Sequence, residues 1–199
     1  MFDFTTAEMI AIIGIIIGVF STAVYIRSIL LGQTKPHLFT WIIWSILPTI
    51  GFFAQRHENA GAGSWALAMT SIGCITICIL AIKYGEKVIT RSDKMALALS
   101  SIAILPWAIT KDPLGSVILI SLIDLVGFFP TFRKSWSQPY NEKLFTFVVS
   151  SLPLALSLFS LSVINLTTAL YSCTIVTANV AFVIFCMWRR QIVPHKIKT

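Results

Sequence analysis

Residues 8–31 read EMIAIIGIIIGVFSTAVYIRSILL, and the only charged side chains among these 24 residues are Glu8 and Arg27. An α-helix rises about 1.5 Å per residue, so this run is long enough to cross the ~30 Å hydrocarbon core of a bilayer. A similar run, LGSVILISLIDLVGFFPTF, occupies residues 114–132. The two stretches predict membrane-spanning helices.

The composition of the whole chain fits the same class of protein. Of its 199 residues, 56% are apolar and only 12% are charged, whereas soluble domains carry about a quarter charged residues. The apolar runs predict an all-α membrane protein with seven transmembrane helices. The predicted spans are 8–31, 37–55, 63–82, 95–110, 114–132, 143–164 and 167–188.

The basic residues predict how these spans are oriented. With seven spans, one side of the membrane holds thirteen Lys and Arg residues, and the other side holds only Arg56 and Lys111. Cytoplasmic loops are enriched in Lys and Arg, so we expect an outside N-terminus and a cytoplasmic C-terminus in a plasma or inner membrane. This asymmetry accounts for the net charge of +7 without a nucleic-acid partner.

An internal repeat appears when the chain is shifted by 106 residues. Leu38-Phe39-Thr40 then aligns with Leu144-Phe145-Thr146, and Arg27 aligns with Arg133. The shift maps spans one to three onto spans five to seven without inverting them. We therefore expect two parallel three-helix bundles, residues 1–83 and 113–199, joined by a linker helix within 84–112.

This arrangement resembles the SWEET, SemiSWEET and PQ-loop transporter superfamily. Residues 127–136, GFFPTFRKSW, are similar to that family's Pro-Gln loop, with Thr131 in place of Gln and a basic residue and Ser following. In the first repeat, Val24-Tyr25 stands where Pro-Gln is expected. The resemblance implies alternating-access transport of a small polar solute such as a sugar, an amino acid or a vitamin.

Asp124 is the one acidic residue well inside a predicted span, near the middle of span five. A charge at the bilayer centre costs at least ~2.5 kcal/mol, so such residues usually face a cavity, a partner or a proton path. Two interpretations stay open: a solute-binding or proton-coupling group, and a hydrogen-bonded carboxyl that ties helices together.

Depth in the membrane suggests further solute-binding residues. Ser71, Thr177 and Asn179 lie at about the depth of Asp124 and carry hydroxyl or amide groups. Trp41 and Trp44, three residues apart near one end of span two, can either stack on a ring-shaped solute or belong to the interfacial aromatic belt.

Prolines and arginines indicate where helices could bend and where a gate could close. Pro48 and Pro153 lie near the middle of spans two and six, and Pro130 lies near the end of span five. A proline frees a backbone carbonyl and allows a kink, which can be static or can act as a hinge. Arg27 and Arg133 can be snorkelling anchors or can close a gate, for example by pairing with Glu142.

Several classes of function are disfavoured. The chain has no glycine-rich phosphate loop, no His-Glu-x-x-His and no metal-ligand spacing of its four cysteines, so we expect neither an enzyme nor a cofactor or metal site. The expected partners are the bilayer, a small polar solute and protons, and homo-oligomers stay open. The alternative is a non-transporting membrane scaffold, receptor-like or assembly protein on the same fold.

Overall fold

The structure, a computed structural model, describes residues 4–85, 98, 112–140 and 144–193. These residues form α-helices and a short 3-10 turn, with no strand among them. The elements are α1 (Thr6–Leu30), α2 (Leu38–His57), the 3-10 turn (Gly61–Ser64), α3 (Trp65–Tyr84), α4 (Pro113–Ser137), α5 (Leu144–Leu158) and α6 (Leu166–Ile192).

Five of these helical segments are long and apolar enough to cross a membrane: α1, α2, the 3-10 turn with α3, α4, and α6. They correspond to predicted spans one, two, three, five and seven. The all-helical class is therefore confirmed for the described part of the chain, and the long apolar helices indicate an integral membrane protein. The predicted fourth span, 95–110, lies outside the described residues apart from residue 98.

The prediction for span six, 143–164, is wrong at its C-terminal end. Helix α5 has 15 residues and ends at Leu158, so it covers only about 22 Å. The next two N–H groups, of Phe159 and Ser160, bond to carbonyls three residues back, and Ser162 N–H bonds to Ala60 O at 3.0 Å. Contact with the α2–α3 turn thus ends the helix although the following residues are apolar.

Helix α4 extends beyond predicted span five. Its backbone stays helical through residue 130 to Ser137, so the helix continues about five residues past the predicted end at residue 132. Residues 127–136, which resemble the Pro-Gln loop, therefore form the last turns of a helix.

The helix directions follow from which residues meet. A Cβ at Gly18 would lie near Met69, and one at Gly73 near Thr22, so α1 and α3 are parallel. A Cβ at Gly14 would contact Leu156, and one at Gly18 would contact Pro153, so α5 is antiparallel to α1.

The same directions recur in the second half. Helices α4 and α6 are parallel because Tyr171 of α6 contacts Asp124, and Trp188, further along α6, contacts Trp136, further along α4. Helix α2 is antiparallel to α6, since Gln55 bonds to Thr168 O while a Cβ at Gly51 would contact Tyr171. We call the end of the assembly that carries the α2–α3 and α5–α6 turns the upper end, and the opposite end the lower end.

The helices close into a ring in the order α1, α3, α2, α4, α6, α5 and back to α1. Further contacts cross the ring between α2 and α6 and between α3 and α5. We call α1–α3 the first triplet and α4–α6 the second triplet. In each triplet, the third helix packs against both of the others.

The upper half of the interface between the triplets is an apolar core. Its buried residues come from five helices, and they are Leu47, Ile50, Ala54, Ala66, Leu67, Val117, Ile120, Leu154 and Tyr171.

Candidate functional site

Asp124 is buried on α4 and bonded to α6. The Tyr171 hydroxyl donates a hydrogen bond of 2.6 Å to Asp124 Oδ2, and the two residues are 8% and 6% exposed. The other carboxylate oxygen, Oδ1, has no hydrogen-bond partner in the described part of the chain. Gly51 of α2 lets the Tyr171 ring approach, because a Cβ there would lie 3.1 Å from Tyr171 Cδ1.

The first triplet faces the same pair of residues. Cys74 of α3 lies within electrostatic range of both Asp124 and Tyr171. The carboxyl group therefore lies where the two triplets meet. Tyr171 was not among the predicted site residues, although a buried tyrosine hydroxyl usually needs a hydrogen-bond partner and Asp124 is an acceptor at a similar depth.

Ser71 is buried between α2 and α3. Its hydroxyl shares a short hydrogen bond with the Thr49 hydroxyl, which also donates to Ser45 O at 2.5 Å. The predicted solute-binding hydroxyl thus joins two helices of the first triplet.

Asn179 and Thr177 face different ways although they lie at a similar depth. Asn179 is 5% exposed, and its amide has no hydrogen-bond partner among the described residues. Thr177 is exposed in a groove between α4 and α6. Residues two apart on a helix point about 200° apart, so these two side chains do not share one site.

Trp41 and Trp44 lie towards the lower end. The Trp41 ring is 5.1 Å from the Tyr25 ring of α1 and 5.3 Å from the Trp44 ring, centroid to centroid. Trp44 is 46% exposed. Trp41 therefore packs between helices of the first triplet, while Trp44 extends outwards.

Pro48 and Pro153 are both buried inside helices. Pro153 packs directly on α1, where a Cβ at Gly14 would lie 3.4 Å from Pro153 O and one at Gly18 would lie 3.6 Å from Pro153 Cγ. Helices α1 and α5 therefore cross closely at the two glycines, where an added Cβ would just reach van der Waals contact.

Arg27 and Arg133 are exposed at the lower end. Neither side chain has a hydrogen bond or ion pair with a described residue. Glu142, the partner considered for a gate, lies outside the described residues.

The upper end joins the two triplets by polar contacts that the sequence did not predict. Gln55 Nε2 donates to Thr168 O at 2.5 Å, and Asn165 Nδ2 donates to Glu58 Oε2 at 2.9 Å. A Cβ at Gly63 would lie 2.9 Å from Leu161 Cα, so the two turns touch through their backbones. We call this set, together with the Ser162–Ala60 bond, the upper-end contact.

The polar and aromatic contacts described at the lower end stay within one triplet. Arg189 donates to Trp136 O through Nε at 3.0 Å and Nη2 at 2.8 Å. Its guanidinium carbon also lies 4.1 Å from the centre of the Trp136 ring. Arg190 donates to Pro139 O at 3.0 Å. These bonds fasten α6 to the C-terminal end of α4 and the residues that follow it.

Two surface cavities flank the helices. One, of about 530 Å³, is the groove between α4 and α6 that includes Thr177. The other, of about 320 Å³, lies over α3 between α1 and α2. Asp124 lines neither of them. Within the described ranges, no three His, Cys, Asp or Glu residues are grouped as metal ligands.

Long apolar helices and buried polar groups between them are typical of an all-helical integral membrane protein. No protein-family model, curated protein or solved structure matches this chain.

Proposed function

We propose that the chain is a small-molecule membrane carrier of the SWEET/PQ-loop type, with two parallel three-helix repeats around a mid-depth site. The observation that carries this proposal is the symmetry of the helix contacts. Each helix of the first triplet has a counterpart in the second: α1 corresponds to α4, α2 to α5 and α3 to α6. Helix α1 packs against α5 just as its counterpart α4 packs against α2. Helix α3 packs against α5 just as its counterpart α6 packs against α2. A pseudo-two-fold axis along the membrane normal gives this pattern, as in parallel-repeat transporters.

The helix directions support the same proposal. Both triplets start at the upper end and finish at the lower end, so neither is inverted relative to the other. Helix α3 ends at the lower end with Tyr84, whereas α4 begins at the upper end with Pro113. A fourth span over 95–110 would make that connection and would give the 3+1+3 order.

The charges support a cytoplasmic lower end. Seven of the eight described Lys and Arg residues belong to this end, and they are Arg27, Lys35, Lys83, Arg133, Lys134, Arg189 and Arg190. The upper end has Arg56 together with Glu8, Glu58 and Asp112. This distribution follows the positive-inside rule, so the proposed N-terminus is outside.

The proposed site lies where the two triplets meet, below the apolar core. Asp124 Oδ1 is free to accept a proton or a solute N–H or O–H, and Tyr171 holds the other oxygen of the carboxyl. The amide of Asn179 supplies a further donor and acceptor. The described conformation is closed at the upper end, and in the proposed cycle the solute is released to the lower end.

Asp124→Asn tests the proposed role of the carboxyl. A metabolite panel first identifies a solute that raises the melting temperature of the full chain in detergent, because bound ligand stabilises by mass action. Uptake of that solute into proteoliposomes is then measured with and without a pH gradient. We expect Asp124→Asn to fold, since the amide still accepts from Tyr171, and to lose the pH-driven part of uptake.

Asp112→Asn is the matched control, because Asp112 is an exposed carboxyl before α4, outside the proposed site. Unchanged pH-driven uptake in Asp124→Asn would refute proton coupling by this residue. A variant that no longer folds would instead assign Asp124 to helix packing.

A non-transporting scaffold is the second candidate, and the packed apolar core of the upper half favours it. The native cysteines separate the two functions. Cys74 is partly buried on α3 and close enough to Asp124 for their charges to interact, whereas Cys173 is exposed in the groove between α4 and α6. A carrier must admit water to Cys74 during its cycle, but a scaffold need not.

Two variants that each keep one of these cysteines are therefore treated with a membrane-impermeant thiol reagent in vesicles of both orientations. We expect Cys74 to react when the lower end faces the reagent and Cys173, which faces the hydrocarbon core, to stay unreacted. No reaction of Cys74 from either side would favour the scaffold.

A further inference from the structure

The groove of about 320 Å³ over α3 opens away from the second triplet. Its lining residues are Ile15, Phe52, Arg56, Trp65, Ala68, Met69 and Ile72. On α3, the opposite face packs against α2 through Leu67 and Ser71. Ile72 is 59% exposed, so no described residue covers this part of the groove.

The groove runs along the membrane normal, and the polarity of its lining residues changes with depth. Arg56 precedes the last residue of α2, and Trp65 is the first residue of α3, so both lie at the upper membrane surface. Ile72 follows Trp65 by seven residues, which places it about 10 Å deeper. The groove is therefore cationic and aromatic at the surface and apolar below.

The charge of Arg56 is not neutralised within the described part of the chain. Its exposed side chain has no hydrogen bond or ion pair there. The adjacent carboxylate, Glu58, already accepts from Asn165 and contacts His57. A guanidinium presents planar N–H donors that match the oxygens of a phosphate group.

We propose that this groove binds one anionic phospholipid from the leaflet at the upper end. Its phosphate lies at Arg56, and one acyl chain lies along Ala68, Met69 and Ile72. A phospholipid fits because it has an anionic headgroup and apolar acyl chains. The groove has a positive charge at the membrane surface and an apolar lining below it. This site does not depend on transport, because it needs only α1, α2 and α3 to lie in a bilayer.

The test is native mass spectrometry of the full-length protein, purified in detergent with phosphatidylglycerol or phosphatidylcholine added. We expect one retained phosphatidylglycerol. A basic residue near a membrane surface contributes roughly fivefold to the attraction of an anionic lipid, so Arg56→Gln should lose about that factor. Ala68→Phe, which fills the groove, should lose retention of phosphatidylglycerol.

Each variant has a matched control that leaves the groove intact. Arg133→Gln removes an exposed arginine at the lower end, and Ala23→Phe enlarges an exposed alanine of α1. Both controls should retain phosphatidylglycerol as the unmodified chain does. If Ala68→Phe does not fold, Ile72→Trp blocks the groove at an exposed position instead.

Three results would overturn the proposal. Equal losses in Arg56→Gln and Arg133→Gln would show general attraction of anionic lipid. Full retention in a folded groove-filling variant would place the lipid elsewhere. A disulfide between Ile72→Cys and a cysteine introduced within 95–110 would show that the chain itself covers the groove. Loss of transport alone would not bear on this site.

Discussion

Gly63→Ala tests whether the upper-end contact holds the two triplets together. An added Cβ would lie 2.9 Å from both Cα and N of Leu161, whereas carbon atoms pack best at about 3.5–4.0 Å. The Leu161 side chain can rotate away, but its backbone is fixed by the neighbouring Ser162–Ala60 bond. Overpacking of this kind costs about 1–3 kcal/mol.

The clash therefore destabilises the state in which the upper end is closed by about 1–3 kcal/mol. The ratio of closed to open molecules should therefore fall about 5- to 150-fold. Closure is measured by the rate of disulfide formation between Ala60→Cys and Ser162→Cys, in a chain whose native cysteines are replaced by Ala. We expect Gly63→Ala to slow this reaction and to lower the melting temperature.

Gly127→Ala is the control, because a Cβ at Gly127 has nothing within 4 Å. It should form the disulfide at the unmodified rate. If Gly63→Ala also reacts at that rate and melts at the unmodified temperature, the two turns do not touch as described. The account of the upper-end contact would then be wrong.

Three further predictions concern packing. Tyr171→Phe should lower the free energy of unfolding by about 1–3 kcal/mol, because it leaves a buried carboxyl without its donor; an unchanged melting temperature would refute this. Gly14→Leu should destabilise the fold, because a Cβ there already touches Pro153 O at 3.4 Å and the rest of the leucine would have to push α5 away, whereas Gly127→Leu should fold normally. Thermal melts and size-exclusion profiles in detergent compare the two variants. Arg189→Lys should lower the melting temperature as much as Arg189→Gln does, because the two-donor hydrogen bond to Trp136 O needs a guanidinium. A Lys variant as stable as the unmodified protein would show that charge alone suffices.

Five of the seven predicted spans correspond to helices long enough to cross a membrane, because a run of about 20 apolar residues is easily recognised in a sequence. The sequence could not locate the end of α5, because Phe159 and Ile164 are as apolar as a span although they are 75% and 76% exposed. The turn there depends on a backbone bond to Ala60, a residue about a hundred positions away. Hydropathy carries no information about such a contact.

The candidate site was predictable in part. The isolation of Asp124 among apolar residues pointed to a buried polar contact, and the structure has one. Depth alone grouped Thr177 with Asn179, and the helical angle between them, which the sequence does contain, would have separated them. Tyr171 could be found only by knowing that α4 and α6 run side by side.

The crossing of α1 over Pro153 has a mechanical consequence. Gly14 and Gly18 present no side chains, so the side chains of α1 and α5 do not interlock there. The two helices can therefore rotate relative to each other about this crossing. Any tilt of one triplet against the other that keeps this contact must turn about it. The helices then move furthest apart on the opposite side of the ring, between α2 and α4. Asp124 lies on α4 and therefore on the side that moves most.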